Sequence, residues 1–386
     1  MAEKTSFLHS GYVIDGISMN LTPARMLDEC LADPPGECNG NGPFEPIVDE
    51  TVDLAPSTFV FKEQEIGAYL DMTLALCDGK RTFPLPFAGP VSCARIAWAL
   101  IDSIWMSGHF RLGDLLLRME WRWDGRPIGN MAAFYDSVQG AAGYIDALGL
   151  KLRSYSVHKG TCSLSVRAST AVEEDPSGEE EEDEEIIIRE LPFRTHRPRM
   201  GRKRKCPGTL VGEASDWLIY IPFDPCDFRL GGSLLAEATG SRSAVAPEIA
   251  DADYFIDCYE VVRELVEDGV VKAGATVGDG GLLTTLRRMS VPGVGAEISI
   301  APISRAYSDE KPVRILFSEV PGVILQIADI DYDYVDAELL LQDIAYFPIG
   351  HPTPEKDEIM VSTGTNAGIS AILESLLQIQ TSEGED

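Results

Sequence analysis

Two glycine-rich segments of this sequence carry residue types that bind phosphate groups. In the first, Asp279, Gly280 and Gly281 open the helical pattern GGLLTTLRRMS. Backbone amides at a helix N-terminus attract anions, and glycine lets a phosphate approach the main chain closely. The same residues also suit a tight turn in which Asp279 caps the following helix. The spacing therefore predicts either a phosphate cradle or a capped turn, and both interpretations stay open.

The second segment combines a guanidinium, a glycine pair and a hydroxyl in the run FRLGGSLLAEATG. Here Arg229 can pair with a phosphate, while Gly231 and Gly232 expose backbone amides and Ser233 offers a hydroxyl. We therefore predict these four residues as a residual nucleotide-binding segment. A plain strand–turn–helix junction is the alternative interpretation of the same pattern.

The cysteines and histidines do not indicate a metal site. Eight Cys and five His are scattered along the chain, and no CxxC occurs. The spacing of zinc ligands is therefore absent, and we predict no metal ligand. Cys162 is a candidate nucleophile only if His158 activates its thiol. A reduced structural thiol is the alternative for Cys162 and for the other cysteines.

The formal net charge of -30 results from 62 acids against 32 Lys and Arg. A surface this acidic repels nucleic acid and anionic membranes, so we expect neither as a partner. Residues 173–185 hold ten acids and no base, and residues 194–205 hold seven Arg or Lys. Neither run can bury enough apolar surface to fold alone.

The end of the basic run suits a nuclear import signal or a patch for an acidic partner. Its candidate residues are Arg202, Lys203, Arg204 and Lys205. A solubilising loop is the alternative. The N-terminal MAEKTSFLHS lacks the apolar core of a signal peptide, and no stretch approaches about 18 apolar residues. We expect a soluble intracellular protein, cytoplasmic, nuclear or both.

Helical and strand-like patterns alternate on both sides of the charged runs. The strand-like segments are 57–61, 111–123, 160–170, 216–223 and 321–329. The helical segments are 92–106, 130–150, 251–269, 280–290 and 365–379, and 68–76 fits either structure. This alternation predicts an α/β (α+β) fold of two domains.

The predicted domain organisation has five parts. They are an irregular lead-in over 1–50 with one strand near 11–19, a first domain over 51–170, a charged disordered insertion over 171–206, a second domain over 207–362, and a terminal helix and tail over 363–386.

Six segments occur in the order expected of one enzyme family. They are GKRTFPLPFAGPVSCARIAWALID (79–102), YDSVQGAAGYIDALGLKL (135–152), KGTCSLSV (159–166), PGTLVGEASDWLIYIPFDPCDFRLGGSLLAEATG (207–240), AGATVGDGGLLTTLRRMS (273–290) and ILFSEVPGVILQI (315–327). Together they resemble the second AIR-synthetase-like half of formylglycinamidine ribonucleotide synthetase. The resemblance implies a PurM-like fold, with an N-terminal sheet domain that pairs with another half, a C-terminal α/β domain, and nucleotide in the cleft between them.

The resemblance also shows that most functional positions of the family carry other residue types here. The replaced positions are Leu100, Ile104, Thr161, Cys162, Ala275, Thr276, Gly278 and Arg288, and the retained ones are Ser163, Asp279, Gly280 and Gly281. A single carboxylate cannot assemble the Mg²⁺–ATP site of the family. We therefore predict no catalytic residue and no metal site, and at most a structural ADP or ATP with Mg²⁺. Glu319, in the stretch that resembles a family strand, is expected to be a capping or packing carboxylate.

The leading hypothesis is a non-catalytic module that serves assembly or partner binding. Gammaherpesvirus tegument proteins look like the same synthetase with a damaged site, and that resemblance implies binding of host nuclear factors. The alternatives are a ligase subunit that works with an intact catalytic half, and a subunit of another large complex. We expect a homodimer or heteromer formed through the N-terminal sheet, because an apolar outer face of that sheet would need a cover.

Overall fold

In the described part of the chain, two main β-sheets pack against a shared layer of helices, and two smaller sheets accompany them. The computed structural model describes residues 6–33, 47–49, 59–77, 81–170, 199–241, 245–308 and 310–363. Helices and strands alternate along these ranges, which confirms the predicted mixed α/β class. Every helix in them is too short or too polar to span a bilayer.

A three-stranded sheet in the order β6–β5–β7 forms the centre of the N-terminal half. Its strands are β5 (Leu115–Trp123), β6 (Lys151–Lys159) and β7 (Ser163–Thr170). β5 runs parallel to β6 and antiparallel to β7. Every second residue of β5 is buried because only one face of the sheet packs against helices. The predicted strands in 111–123 and 160–170 are confirmed, whereas β6 was not predicted.

Two long helices, α3 (Ala88–Ile104) and α4 (Asn130–Ala147), cover the inner face of this sheet. They approach closely because a Cβ on Gly140 would lie only 2.9 Å from the Cα of Gly89. The hydroxyls of Ser92 and Ser137 hydrogen-bond across the contact at 2.7 Å. Both helices confirm the predicted segments, and α4 is the crossover that joins the parallel strands β5 and β6.

The lead-in is more regular than predicted. Its described elements are β1 (Tyr12–Ile14), β2 (Ile17–Ser18), α1 (Pro23–Glu29) and β3 (Ile47–Asp49), followed by α2 (Ile66–Cys77). The hydroxyl of Thr22 accepts a hydrogen bond from the amide of Arg25, which caps α1. The ambiguous pattern at 68–76 is helical. The predicted strand at 57–61 is wrong for residues 59–61, which form no ladder.

The C-terminal half contains a six-stranded sheet in the order β10–β12–β9–β13–β11–β14. Its strands are β9 (Trp217–Pro222), β10 (Val271–Val277), β11 (Val294–Ser299), β12 (Gly322–Ile327), β13 (Phe347–Pro354) and β14 (Lys356–Ser362). Along β9, Ile219 and Ile221 face a core shared with the N-terminal helices. Leu218 and Tyr220 face a second core on the opposite side. The sheet is therefore buried on both faces, and the two halves share one core.

Six helices accompany this sheet. They are α5 (Leu234–Ala238), α6 (Ala252–Glu267), α7 (Gly281–Met289), α8 (Ala301–Ala306), α9 (Pro312–Phe317) and α10 (Tyr332–Leu341). α6 and α7 confirm the helices predicted at 251–269 and 280–290. The helix predicted at 365–379 lies outside the described residues.

The predicted disordered insertion over 171–206 is wrong at its C-terminal end. Residues Arg199–Arg204 form β8, which pairs antiparallel with β4 (Met106–His109). The guanidinium of Arg204 donates to the carbonyl oxygen of Gly274 at 2.9 Å and lies 5.9 Å from the centre of the Trp105 ring. The basic run folds here because β4 pairs with its backbone and Trp105 packs against its arginine. Residues 171–198 lie outside the described residues.

The outer face of the N-terminal sheet is polar, so the expectation of an apolar face is wrong. We define the outer face by the cross-strand register as Leu116, Arg118, Glu120 and Arg122 of β5, Lys151, Ser154, Ser156 and His158 of β6, and Ser163, Ser165, Arg167 and Ser169 of β7. One large apolar side chain, Leu116, belongs to this set. A sheet face of this composition needs no apolar cover.

We expect Arg204→Ala to lower the free energy of unfolding by about 1 kcal/mol, because it removes the bond to Gly274 and the contact with Trp105. Lys203→Ala, on the same strand and exposed, should change it by less than about 0.5 kcal/mol. Urea unfolding followed by Trp fluorescence measures both. Equal losses in the two variants would show that β8 is held by its backbone alone.

Candidate functional site

The glycine motif at the start of α7 is shaped by close packing of the main chain. Gly280 and Gly281 have φ angles of 85° and 74°, which favour glycine. A Cβ on Gly281 would lie 2.7 Å from the carbonyl oxygen of Ser318, so any side chain would push α7 away from that segment. The amide of Gly280 points at the carboxylate of Glu319. This motif therefore forms a helix N-terminus that already has an anion.

The second glycine segment lies beside it, between β9 and α5. A Cβ on Gly231 would lie 2.3 Å from the carbonyl oxygen of Val245, and Gly232 adopts a φ of 79°. The hydroxyl of Ser233 accepts from the amide of Ala236 at 3.3 Å, so it caps α5. These residues thus form the junction that was the alternative interpretation, and the amide of Leu234, directly after Ser233, donates to the same carboxylate as the amide that begins α7.

One buried carboxylate, Glu319, serves both helix N-termini. Its Oε1 accepts hydrogen bonds from the amide of Leu234 at 2.8 Å and from the amide of Gly280 at 2.9 Å. The side chain is 7% exposed. The expectation that Glu319 is a capping carboxylate is confirmed. An external anion at either helix N-terminus would have to displace it.

Arg81 completes the cluster from the N-terminal half of the chain. Its Nη2 donates to Oε2 of Glu319 at 2.8 Å and to the carbonyl oxygen of Gly232, and its Nη1 pairs with Asp279. The arginine is 9% exposed. We name Arg81, Gly232, Asp279, Gly280 and Glu319 the latch. Sequence reasoning missed Arg81, since its partners lie 151 to 238 residues away in the chain.

The electrostatics of the latch depend on this arginine. Burial raises the pKa of Glu319, whereas Arg81 and the two backbone amides oppose that rise. Asp279, on the solvent side, is 43% exposed. The buried charge of Glu319 is therefore compensated by a single cation and two amides, all supplied by the chain itself.

The space left beside the latch is small. A cavity of about 20 Å³ lies against it, lined by Val91, Trp98, Gly231, Gly232 and Glu319 among others. This volume has room for roughly one water molecule. Pockets for nucleotide-sized ligands measure roughly 300 to 1,000 Å³. The cavity beside the latch is thus too small for a nucleotide.

Arg229 points away from the latch into an open groove. Its guanidinium pairs with Asp227 at 2.5 Å and with Glu310 at 3.2 Å. The groove measures about 570 Å³, and Tyr307 and Phe347 also line it. A phosphate in this groove would face two carboxylates that already pair with Arg229, one of which, Glu310, also pairs with Arg314. The structure therefore does not bring Arg229 together with the glycine segments.

The remaining sequence candidates take structural positions. Leu100 and Ile104 are buried in α3. The Thr276 hydroxyl donates to Asp102 at 2.5 Å and accepts from the Trp105 indole at 2.9 Å. Ser163 begins β7 on the outer face and forms none of the hydrogen bonds of the latch.

Burial raises the pKa of the Cys162 thiol, which therefore stays protonated and a weak nucleophile near neutral pH. In the described part of the chain, no group of three or more His, Cys, Asp and Glu side chains could hold a metal ion.

Comparison with known proteins gives one family match and several relatives. Residues 214–361 match the AIR synthase related protein, C-terminal domain. The chain is 23% identical over 267 residues to phosphoribosylformylglycinamidine synthase of Homo sapiens, which covers 67% of this chain and 18% of that protein. It is 25% identical over 258 residues to the Drosophila melanogaster enzyme of the same name, which covers 64% of this chain and 18% of that protein.

Among solved structures, T. maritima PurL complexed with FGAR aligns with a TM-score of 0.53 at 12% identity, over 74% of this chain and 42% of that one. This likeness supports the PurM-like fold. The sequence relatives show homology to phosphoribosylformylglycinamidine synthase. The chain spans less than a fifth of the length of those curated relatives.

We expect Arg81→Ala to lower the free energy of unfolding by about 3 kcal/mol at pH 7, because it leaves the Glu319 carboxylate buried without its cation. The variant raises the folded-state pKa of Glu319 further above its unfolded value of roughly 4.3. The added penalty is therefore present above the folded pKa and disappears as the pH falls and Glu319 takes up a proton. Urea unfolding between pH 5 and 8 should show the deficit shrinking towards pH 5.

The double variant Arg81→Ala with Glu319→Gln is the matched control. Both amides donate to the same oxygen of Glu319, and glutamine keeps one such oxygen. The double variant should be more stable than Arg81→Ala alone at pH 7 and should lack the pH-dependent deficit. An Arg81→Ala deficit that is equal at pH 5 and pH 8 would contradict the assignment.

Proposed function

Because residues 214–361 form an AIR-synthase-related domain in a chain homologous to phosphoribosylformylglycinamidine synthase, we propose that this protein is a non-catalytic module of that type. It serves assembly or partner binding rather than ligase chemistry. The observation that carries this proposal is the latch, in which Glu319 and Arg81 occupy the position of an anion and its counter-cation.

The latch explains how the phosphate-binding geometry survives without a ligand. Two helix N-termini that converge on one point need negative charge there, because their amides have no partners within the helices. The Glu319 carboxylate supplies that charge, and Arg81 compensates it. A nucleotide phosphate would have to displace the Glu319 carboxylate from the two amides that donate to it. It would also have to enter a cavity of about 20 Å³. We therefore infer that this cleft no longer binds ADP or ATP.

The residue types at the positions matched to the enzyme family support the same conclusion. Leu100 and Ile104 are apolar and buried, and Thr276 is held by Asp102 and Trp105. Asp279, the retained carboxylate, pairs with Arg81. Phosphoryl transfer needs several groups that hold Mg²⁺ and a cation on the transferred phosphate. These positions supply packing and ion pairing in their place.

Such a module retains its fold, and the fold can serve partner binding. The core is continuous across both halves, and the sheets remain intact. Assembly with a second copy or with another PurM-like half remains part of this proposal. A narrower version of this proposal is that the protein binds nuclear factors of a host, as the resemblance to tegument proteins implies. The basic strand β8 is compatible with that role.

We expect purified protein to form no ADP above an enzyme-free blank when given Mg²⁺, ATP, formylglycinamide ribonucleotide and ammonia. Titration calorimetry with Mg–ATP and Mg–ADP should show no binding at about 1 mM ligand, the upper end of typical substrate affinities. An intact synthetase is the positive control for both assays. Turnover that Asp279→Ala abolishes would contradict the proposal.

The same assays on material purified with its native partner separate the main alternative. A ligase subunit that works with an intact catalytic half would turn over ATP in that complex, and Asp279→Ala in this chain would lower the rate. A non-catalytic module would leave the rate unchanged by that substitution.

For the import signal, we expect a fluorescently tagged protein to remain cytoplasmic when Arg202, Lys203, Arg204 and Lys205 are all replaced by alanine. Arg204 and Lys205 also bond the fold, through the carbonyl oxygens of Gly274 and Glu267. The matched variant therefore changes only Arg202 and Lys203. Nuclear accumulation of both variants would contradict the signal.

A further inference from the structure

The outer face of the N-terminal sheet carries a concentration of positive charge. Arg118, Arg122 and Arg167 are exposed on it, and Glu120 is the one acid among its residues. That acid is already paired, since its Oε1 lies 3.2 Å from Nε of Arg122. The chain as a whole carries a net charge of -30. The outer face therefore has the opposite sign to the rest of the protein.

The register places two of these arginines directly opposite each other. Arg118 of β5 pairs with Arg167 of β7 across the antiparallel ladder. Facing side chains in such a pair have Cβ atoms about 5 Å apart, and like charges there destabilise the sheet. Packing does not require this arrangement, because both side chains point to solvent.

Polar donors surround the arginines. In the row next to Arg118, Glu120 lies between Ser156 and Ser165, and in the row beyond, Arg122 lies between His158 and Ser163. Hydroxyl and guanidinium groups together are donors suited to carboxylates. The three strands present a face about 27 Å long and about 10 Å wide. An extended peptide of about eight residues has this length.

Two other occupants fit the face less well. A second copy would bring the same arginines against themselves, as a two-fold interface requires. A nucleic acid extends beyond a face of this size, and the net charge of -30 of the chain repels it. A short acidic peptide avoids both objections, because its charge is opposite to that of the arginines and it is no longer than the face.

We propose that the outer face binds an acidic, extended polypeptide segment of a partner protein, with carboxylates bridging Arg118 and Arg167 and reaching Arg122. This inference rests on the proposed binding role and names the chemistry of the partner. It is tested by peptide binding, whereas the non-catalytic assignment is tested by nucleotide assays, so either can fail without the other.

The experiment measures fluorescence anisotropy of a fluorescein-labelled peptide of twelve glutamates with the full chain at about 50 mM salt, where charge pairs are weakly screened. A peptide of twelve glutamines and a twelve-nucleotide oligothymidine are the comparison probes. We expect the glutamate peptide to bind, the glutamine peptide not to bind, and the oligonucleotide to bind more weakly. Raising the salt to about 500 mM should release the glutamate peptide.

The decisive variant is Arg118→Ser with Arg122→Ser and Arg167→Ser. It should weaken peptide binding roughly tenfold, as expected for the loss of a few exposed charge pairs. The matched control, Arg287→Ser with Arg288→Ser and Arg305→Ser, removes the same charge from exposed positions in the C-terminal half and should change affinity less than twofold. Thermal melts confirm that both variants fold.

Residues 173–185 of the same chain hold ten acids and could compete with the peptide. Binding is therefore also measured after Glu179, Glu180, Glu181 and Glu182 are each replaced by glutamine. Absence of peptide binding in both the natural and this variant chain would overturn the proposal. Equal weakening by the two arginine triples would also overturn it, as would tighter binding of the oligonucleotide or dimers that the outer-face triple dissociates.

Discussion

The centre of this protein depends on one buried carboxylate, that of Glu319. Glu319 accepts hydrogen bonds from the amides that begin α5 and α7, so one side chain fixes the relative position of two helices. Its charge requires Arg81, which comes from the opposite half of the chain. The ion pair therefore connects the halves at the cleft, and the shared apolar core connects them elsewhere. Because the carboxylate is buried, its arginine cannot be removed without a large loss of stability.

This arrangement shows that a fold can persist without the ligand chemistry that it supports in other proteins. Helix N-termini that bind phosphate in one protein can be satisfied in another by an internal acid, and the backbone hardly needs to change. Here the glycines keep their structural purpose, since a side chain at Gly281 or Gly231 would collide with neighbouring backbone. Glycine motifs are thus evidence for close backbone approach, and only the surrounding side chains decide whether a ligand enters.

Charge is distributed unevenly over this protein. The body is strongly acidic, yet the outer face of the N-terminal sheet presents three arginines and β8 brings further basic residues to the neighbouring ladder. Part of that basic strand is structural, since Arg204 bonds Gly274 and packs on Trp105. A basic run in a sequence can therefore stabilise a strand and contact a partner at once, and substitutions must separate the two roles.

The sequence by itself determined the α/β class, the long helices α3, α4, α6 and α7, and the strands with strong alternation, because periodicity is a local property. It also indicated that the glycine motifs begin helices and that Glu319 is a capping carboxylate. Only the tertiary structure decided that β8 pairs with β4, that the outer face is polar, and that Arg81 completes the latch. These features depend on contacts between residues far apart in the chain. No local pattern carries them, because an arginine in a loop looks the same whether it meets water or a buried carboxylate.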